Sequence, residues 1–446
     1  MPKGARKVTF SFDERQITHF GGMWLIQRFC NKLALRRLLQ RYVRPFQRST
    51  EYDASELFLA FLFAIIMGLR RINKTEILQY NGAFLEMLGL RRFPDQTTLR
   101  RFLKRLPPQA IRQVVRLHDS LRMHLFAAPS RRTTLVFDLD SVVVVLYGHQ
   151  EGARIGYNPK KRGRHSYHPL LCFEAHFQEF WHGSLRPGNA ASATGVLPFL
   201  RRCLAKVPPA IARSRIRFRM DAGFYGSPVI RFLDGAGCGY VIVVREYPHL
   251  KARARGCRFH RLQNGWEVGS FQERIHHKAQ RRHRFVVVRR PIPDDPTEAT
   301  QLTFFQDRRY VYHVFVTNLP LSPWRVHRFY RPLAAVEKHI RELLYDYPLG
   351  KIPTETWTAN VAFFQLLLFA ANLVHWFKRL CLPAEYRTAT LDTIRTDFLV
   401  LPARLVRVHK QNRVKLPHDY HYQHEFLTAA KRIQQVRLSK SFRFCK

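Results

Sequence analysis

Residues 134–147 constrain this chain most, because they form an apolar, β-branched run whose only charged members are Asp138 and Asp140. Such a run reads as a sheet strand rather than a helix. Residues two apart on a strand point to the same side of the sheet, so the two carboxylates share a face. Buried there without a partner, each costs several kcal/mol, and each therefore requires a metal ion, an arginine or water at a strand end. The fold must contain a sheet with an acidic edge.

That edge stands in a basic chain. The 446 residues carry 75 Lys and Arg against 32 Asp and Glu, a formal net charge of +43. With 46% hydrophobic residues the chain is long and apolar enough for a large core and two or three domains. Charge so lopsided, spread from Arg6 to Lys446, points to a polyanion, with nucleic acid favoured over a membrane surface. The seven cysteines include no Cys-x-x-Cys pair, which argues against a zinc ribbon or a disulfide framework and fits a reducing cytosol. The N-terminus lacks the apolar stretch of a signal peptide. Residues 57–69 are too few to span a membrane, and residues 361–377, which contain Gln365, Asn372 and His375, read as a buried core helix.

Apolar residues at three- and four-residue spacing predict a helical region over about residues 23–126. Within it, Asp95 or Thr97 can cap a helix whose apolar face is Leu99, Phe102, Leu103 and Leu106, leaving Arg100, Arg101 and Lys104 on the opposite face as candidate DNA contacts. Beyond Pro129 the texture turns to strands, with segments 134–147, 169–177, 180–185, 216–220 and 240–245 and helices over 193–204 and 227–233. This order predicts a mixed sheet with helices packed on it. Residues 246–308 read as a strand-rich basic insertion without a helix, residues 310–317 as a return to the main sheet, and a helix opens at Ser322-Pro323 and reaches past Glu337. The expected division is a helical DNA-binding domain over 1–128, a core over 129–245 and 309–382, the insertion between them, and a small basic region over 383–446, with a hairpin at 405–416.

Asp221 follows a β-run directly and precedes Ala-Gly-Phe, a strand end of the kind where open α/β sheets place ligands. Glu337 lies on a helix able to cross that edge. Carboxylates from distant segments suit phosphodiester chemistry, since divalent ions held by oxygen ligands acidify a nucleophile and stabilise a leaving alkoxide.

The segments Phe-Asp-Leu-Asp-Ser, Asp-Ala-Gly-Phe-Tyr-Gly, Val-Phe-Val-Thr-Asn-Leu and residues 330–346 resemble the DDE-type transposases of bacterial insertion sequences. The resemblance covers about residues 130–380 and implies an RNase H-like α/β core interrupted by an all-β insertion before the final Glu. It implies that Asp140, Asp221 and Glu337 are catalytic and hold two Mg2+ ions, or Mn2+, with Asp138 as a further candidate ligand. In the Tyr-x2-Arg-x3-Glu-x6-Lys signature, Tyr330 and Glu337 are kept, whereas Leu333 and Leu344 stand at the Arg and Lys positions, and Val142 stands where Thr is common. Arg341, four residues after Glu337, is placed to take over phosphate contact, beside Tyr330 and Arg331. Lys160, Lys161, Arg162 and Arg164 form a basic loop beside the first carboxylates, and Trp266 is read either as a base-stacking residue or as a core residue of the insertion.

The expectation is a transposase that binds double-stranded DNA at terminal inverted repeats and joins it to target DNA. Two ends held together imply a homodimer, and the location expected is the cytoplasm, at the nucleoid. The alternatives are a structure-specific nuclease on the same core and a decayed or domesticated DNA-binding protein that does not cut.

Overall fold

The computed structural model describes residues 9–43, 51–90, 92–125, 133–158, 161–275, 280–292, 304–307, 309–409 and 411–438. They fall into two compact units, one gathering Met1–Val114, Asp346–Pro348 and Trp376–Leu438, the other Val115–Tyr345 and Leu349–His375.

The first unit is mainly helical, with helices Met23–Lys32, Leu35–Val43, Ala54–Ile66, Gly82–Leu88, Gln96–Arg105 and Gln423–Gln435. Two starts are fixed by aspartate caps. Asp53 accepts from Ser55 N at 2.8 Å while Glu56 accepts from Asp53 N at 2.9 Å, a reciprocal capping box. Asp95 accepts from Thr98 N at 2.8 Å and opens Gln96–Arg105, whose Leu99, Phe102 and Leu103 are buried while Arg100, Arg101 and Lys104 are exposed, as the spacing predicts. The hairpin read from 405–416 forms as Ala403–Val408 and Gln411–Lys415, and its first strand pairs with Ile17–Thr18 near the start of the chain. The buried Arg395 guanidinium donates to the carbonyls of Ile65 and Ile66 at 3.1 and 2.6 Å, tying the helix Ala54–Ile66 to the later segment.

The second unit is built on one mixed sheet. Its strands are β1 (Leu135–Ser141), β2 (Leu170–Glu174), β3 (Glu179–Ser184), β4 (Ile216–Met220), β5 (Gly239–Val243), β6 (Glu267–Arg274), β7 (Arg282–Pro291) and β8 (Tyr310–Thr317). The order across the sheet is β3-β2-β1-β4-β5-β8-β7-β6, with the short strand His260–Arg261 beyond β6. β3, β2 and β1 pair antiparallel with one another, and β1, β4 and β5 run parallel to one another. This is the mixed α/β core that the strand order predicts.

The alternation of β1 sorts its side chains. Leu135, Phe137 and Leu139 are fully buried in a core shared with the helices α1 (Val196–Ala205) and α2 (Ser227–Gly235). Full burial of each such side chain is worth about 1.5–3 kcal/mol, so a slip of one residue would forfeit the whole face. Asp138 and Asp140 are thereby committed to the other face.

Two expectations are corrected. The insertion is not helix-free: Pro248–Arg255 forms α3, with Pro248 in the first turn. Only Leu250 and Ala254 of that helix are buried, so no broad apolar stripe marked it in the sequence. Strands β6 and β7 extend the main sheet through β8. The helix expected to run unbroken from Pro323 past Glu337 divides into α4 (Pro323–Tyr330) and α5 (Ala334–Tyr345), separated by a 3-10 turn at Arg331–Leu333. Pro332 accounts for the break, since it has no N–H and its ring clashes with the preceding helical turn.

The long helix α6 (Trp357–Cys381) is apolar enough to cross a membrane, yet its side chains are largely buried in the fold. Its polar residues serve the edge strand β3. Asn372 accepts from Phe180 N at 2.8 Å and donates to Phe180 O at 2.9 Å, and Gln365 donates to Gly183 O at 3.0 Å. The helix thus covers an edge that would otherwise present unpaired backbone groups.

At the hairpin end of the sheet, Glu174 is fully buried opposite Glu179 and accepts from Val136 N and Phe177 N at 2.9 and 2.7 Å. Burial above all pushes its carboxyl up from 4.5 to about 8, with the Glu179 charge adding to the rise. A carboxyl whose pKa is higher in the folded state binds more protons there, so the fold loses stability as pH rises from about 4.5 to about 8. Urea unfolding of the wild type across that range is expected to show this decline, and Glu174→Gln is expected to flatten it.

Candidate active site

Asp140 is the penultimate residue of β1, and Asp221 follows the last residue of β4. The parallel register pairs Leu139 with Met220, so the two aspartates stand abreast, each one position beyond that pair. Asp140 accepts from Ser141 N at 2.6 Å. Asp221 caps the short turn Ala222–Phe224, accepting from Gly223 N at 2.9 Å, and Arg245 at the end of β5 donates to Ala222 O and Gly223 O at 3.0 and 3.1 Å. Glu337 is exposed in the first turn of α5.

These three carboxylates converge. Asp140, Ser141, Val142, Glu337, Ile340, Arg341, Leu344 and Tyr345 line a cleft of about 520 Å3. The Asp140 carboxyl is pushed up to about 7, chiefly by burial and then by the negative charge of Asp221, with Glu337 and Asp138 contributing. Asp221 is also raised by burial, with Glu337 adding to it and Arg245 opposing. Asp140 and Asp221, both raised, together with the nearby Glu337 form a donor set of hard oxygens that a divalent cation would neutralise. The residues fit such ions.

Asp138, expected as a further ligand, shares the face, and both its oxygens are engaged by a side chain of the neighbouring strand. Arg219 on β4 takes both its oxygens, Nε at 2.5 Å and Nη2 at 2.6 Å, and donates Nη1 to Phe329 O at 2.9 Å. With no exposed surface, Asp138 needs this partner, and burial drives its pKa up while Arg219 holds it down. Tyr330, expected to touch DNA, is buried with 1% exposure and packs on Phe315, ring centroids 5.0 Å apart. Its phenol is driven well above its usual value by burial and by Asp221, Asp140 and Asp138, which places it beside the carboxylates.

The other expected DNA contacts divide. Lys161, Arg162 and Arg164 are exposed, with Lys161 Nζ donating to Tyr147 OH at 2.5 Å, and Lys160 lies outside the described residues. Arg331 and Arg341 are exposed, and Arg341 lines the cleft; Leu333 is buried and Leu344 lines the cleft with Arg341. Trp266 is half-buried among His327, Trp324 and His313, at ring-centroid distances of 5.0, 5.5 and 5.8 Å.

The sequence reading missed a loop that braces both aspartate turns. The buried Arg186 guanidinium donates to the carbonyls of His168, Ala191, Ser192 and Thr194 at 2.8, 3.2, 3.1 and 2.7 Å. The loop so held sets Ser192 Oγ 3.2 Å from Ser141 Oγ, next to Asp140. On its other side Ser192 abuts Gly223, where an added Cβ would approach Ser192 Oγ to 2.9 Å. The one sequence signal was Arg186-Pro187-Gly188 directly after a strand, and turn chemistry of this kind does not identify what a side chain will grip.

No curated protein matches the chain. Among solved structures, the chain is similar to the piggyBac transposase in its synaptic complex with hairpin DNA, at 11% identity and a TM-score of 0.43, over 87% of this chain and 83% of that one. The family model described as "Transposase DDE domain group 1" matches residues 1–438. A chain matched over nearly its whole length, with three carboxylates gathered at the ends of two parallel strands and on a crossing helix, belongs to this DDE transposase family and is a DNA transposase with nuclease and transesterase chemistry.

Proposed function

We propose that Asp140, Asp221 and Glu337 together hold two Mg2+ ions, for which Mn2+ can substitute, and that the chain cuts DNA at terminal inverted repeats and joins the freed 3′-hydroxyl to target DNA. The observation that carries this reading is geometric: Asp140 and Asp221 stand abreast at the ends of paired parallel strands, and Glu337 lines the same cleft as Asp140. Divalent ions held by these carboxylates would acidify the attacking oxygen and stabilise the leaving one. The protein's part is to hold the ligands still. The turn carrying Asp221 is fixed by Arg245, and the Arg186 loop braces Ser141 against that turn. Asp138 serves to lock Arg219 between the two strands and the end of α4 rather than to bind metal. Burial and negative surroundings keep the Tyr330 phenol protonated, so it adds no further anion to the site.

DNA contact is assigned to exposed cations. Arg341 on the cleft, with the exposed Arg331, replaces the phosphate grip that Leu333 and Leu344 cannot give. Lys161, Arg162 and Arg164, beside the exposed Tyr147 and Tyr157, suit a strand passing the first aspartates, and Trp266 suits stacking with a base at its open edge. The stripe Arg100, Arg101 and Lys104 faces end DNA in the helical region 1–128, and the catalytic core comprises 129–245 and 309–382, with the insertion 246–308 and the basic region 383–446 as accessory parts. Two copies are expected to act together, because joining requires both ends at once.

Asp140→Asn or Asp221→Asn is expected to lower strand transfer from labelled element ends with Mg2+ by about 10³-fold or more while leaving gel retardation of the same DNA intact. Full joining by both variants would overturn the metal-site reading. Arg186→Gln is expected to raise the Mg2+ concentration needed for half-maximal cleavage about 10–100-fold, with partial rescue by Mn2+. A merely structural arginine would lower the melting temperature and leave the Mg2+ dependence unchanged.

A further inference from the structure

Glu337 faces the cleft from one side of α5, and a second cluster of ligating groups includes residues on its back. His339 and Glu342 are three residues apart, so they are neighbours on the helix surface. Relative to Glu337 they lie about 200° and about 140° around the axis, turned away from the cleft. Consistent with this, Glu337, Ile340, Arg341 and Leu344 line the cleft, whereas His339 and Glu342 do not. Opposite them stands His375 of α6. One ligand atom from each of His339, Glu342 and His375 lies within 4.8 Å of the others.

The surroundings favour a built site over a chance meeting of polar groups. Glu342 and His375 are 8% and 5% exposed. His339 Nδ1 is buried without a hydrogen-bond partner among the described residues and faces Glu342 Oε2 at 3.7 Å, too far for a hydrogen bond. The His339 ring lies flat on Phe173, centroids 4.3 Å apart, and His375 meets Phe173 and Phe180 edge-on at 6.4 Å, so both imidazoles are oriented by packing.

We propose that His339, Glu342 and His375 bind one Zn2+ ion, separate from the catalytic ions and different in chemistry. Two imidazole nitrogens and one carboxylate oxygen suit zinc, with water in the fourth position, whereas the oxygen-only set of Asp140, Asp221 and Glu337 suits Mg2+. Ligand distances of about 2.0–2.2 Å to zinc require the three atoms to draw closer on binding. The ion would clamp the back of α5 to α6 and so fix the helix that presents Glu337.

The test uses the full-length chain carrying Asp140→Asn and Asp221→Asn, which impairs metal binding at the catalytic cleft without touching the proposed one. After chelation, reloading with Zn2+ and gel filtration, one Zn2+ per chain is expected to remain. His339→Ala or His375→Ala added to that background should abolish it, and Glu342→Gln, close to the native shape and so able to fold, should weaken Zn2+ affinity at least about tenfold. Co2+ in place of Zn2+ should give the visible absorption of a four-coordinate ion, lost in the same variants. The proposal is overturned if the double-asparagine chain retains no zinc, or if Glu342→Gln and the histidine variants retain as much as their parent. Because the readout is zinc content and spectrum, it stands or falls independently of the catalytic reading.

Discussion

The parallel pairing of β1 with β4 is the constraint on which the site depends. Their register carries Asp140 and Asp221 to the same level at the end of the sheet, and no loop rearrangement could substitute for it. The register is held on both faces. Leu135, Phe137 and Leu139 anchor one face in the core, and on the other the two-pronged bond from Arg219 of β4 to Asp138 of β1 ties the strands side by side. An ion pair buried this deeply contributes little net stability after desolvation, but breaking one partner would leave an uncompensated charge, commonly costing about 3–5 kcal/mol. Its value here is geometric. The third hydrogen bond of Arg219, to Phe329 O, connects the same pair to the end of α4, from which the chain passes through Pro332 into the helix of Glu337.

Like charges are then brought together at a cost that Arg245 and backbone N–H groups relieve only in part. Asp140 and Asp221 are raised by burial and by each other's surroundings, while neighbouring arginines are directed elsewhere. Arg219 is spent on Asp138, Arg245 on backbone carbonyls, and Arg186 on four carbonyls of the bracing loop. In a chain with 75 Lys and Arg, aiming nearby guanidinium groups at carbonyls or at Asp138 keeps a cation site from being filled by side chains. The exposed basic residues are left for the phosphate backbone of DNA.

Much of this was legible in the sequence where one physical signal dominated. The β-branched run with two acids, the strand running into Asp221 and the capped helix at Asp95 each show strong local patterning; the last two form as read, whereas the first strand covers Leu135–Ser141 and the rest of the run 134–147 leaves the sheet, with Val144–Val145 pairing elsewhere. What was illegible depended on partners distant in sequence. Nothing local says that Asp138 will be claimed by Arg219, 81 residues on, or that Arg186 will grip a loop touching both aspartate turns. The short helix Pro248–Arg255 was hidden because it buries only two side chains, and the break at Pro332 was overlooked because the apolar spacing continues on either side of it. Of the two departures from the signature, Leu333 is buried, and Leu344 lines the cleft beside Arg341.

The central claim is that residues from β1, β4 and α5 share bound divalent ions. Replacing the cation by Fe2+ and starting oxidative cleavage of the backbone with peroxide and ascorbate tests it most directly, because cutting is confined to chain next to the metal. Cleavage is expected in three places, around Asp140, around Asp221 and around Glu337, all suppressed together by excess Mg2+. Cleavage at only one of these segments, or a pattern that Mg2+ leaves unchanged, would contradict it.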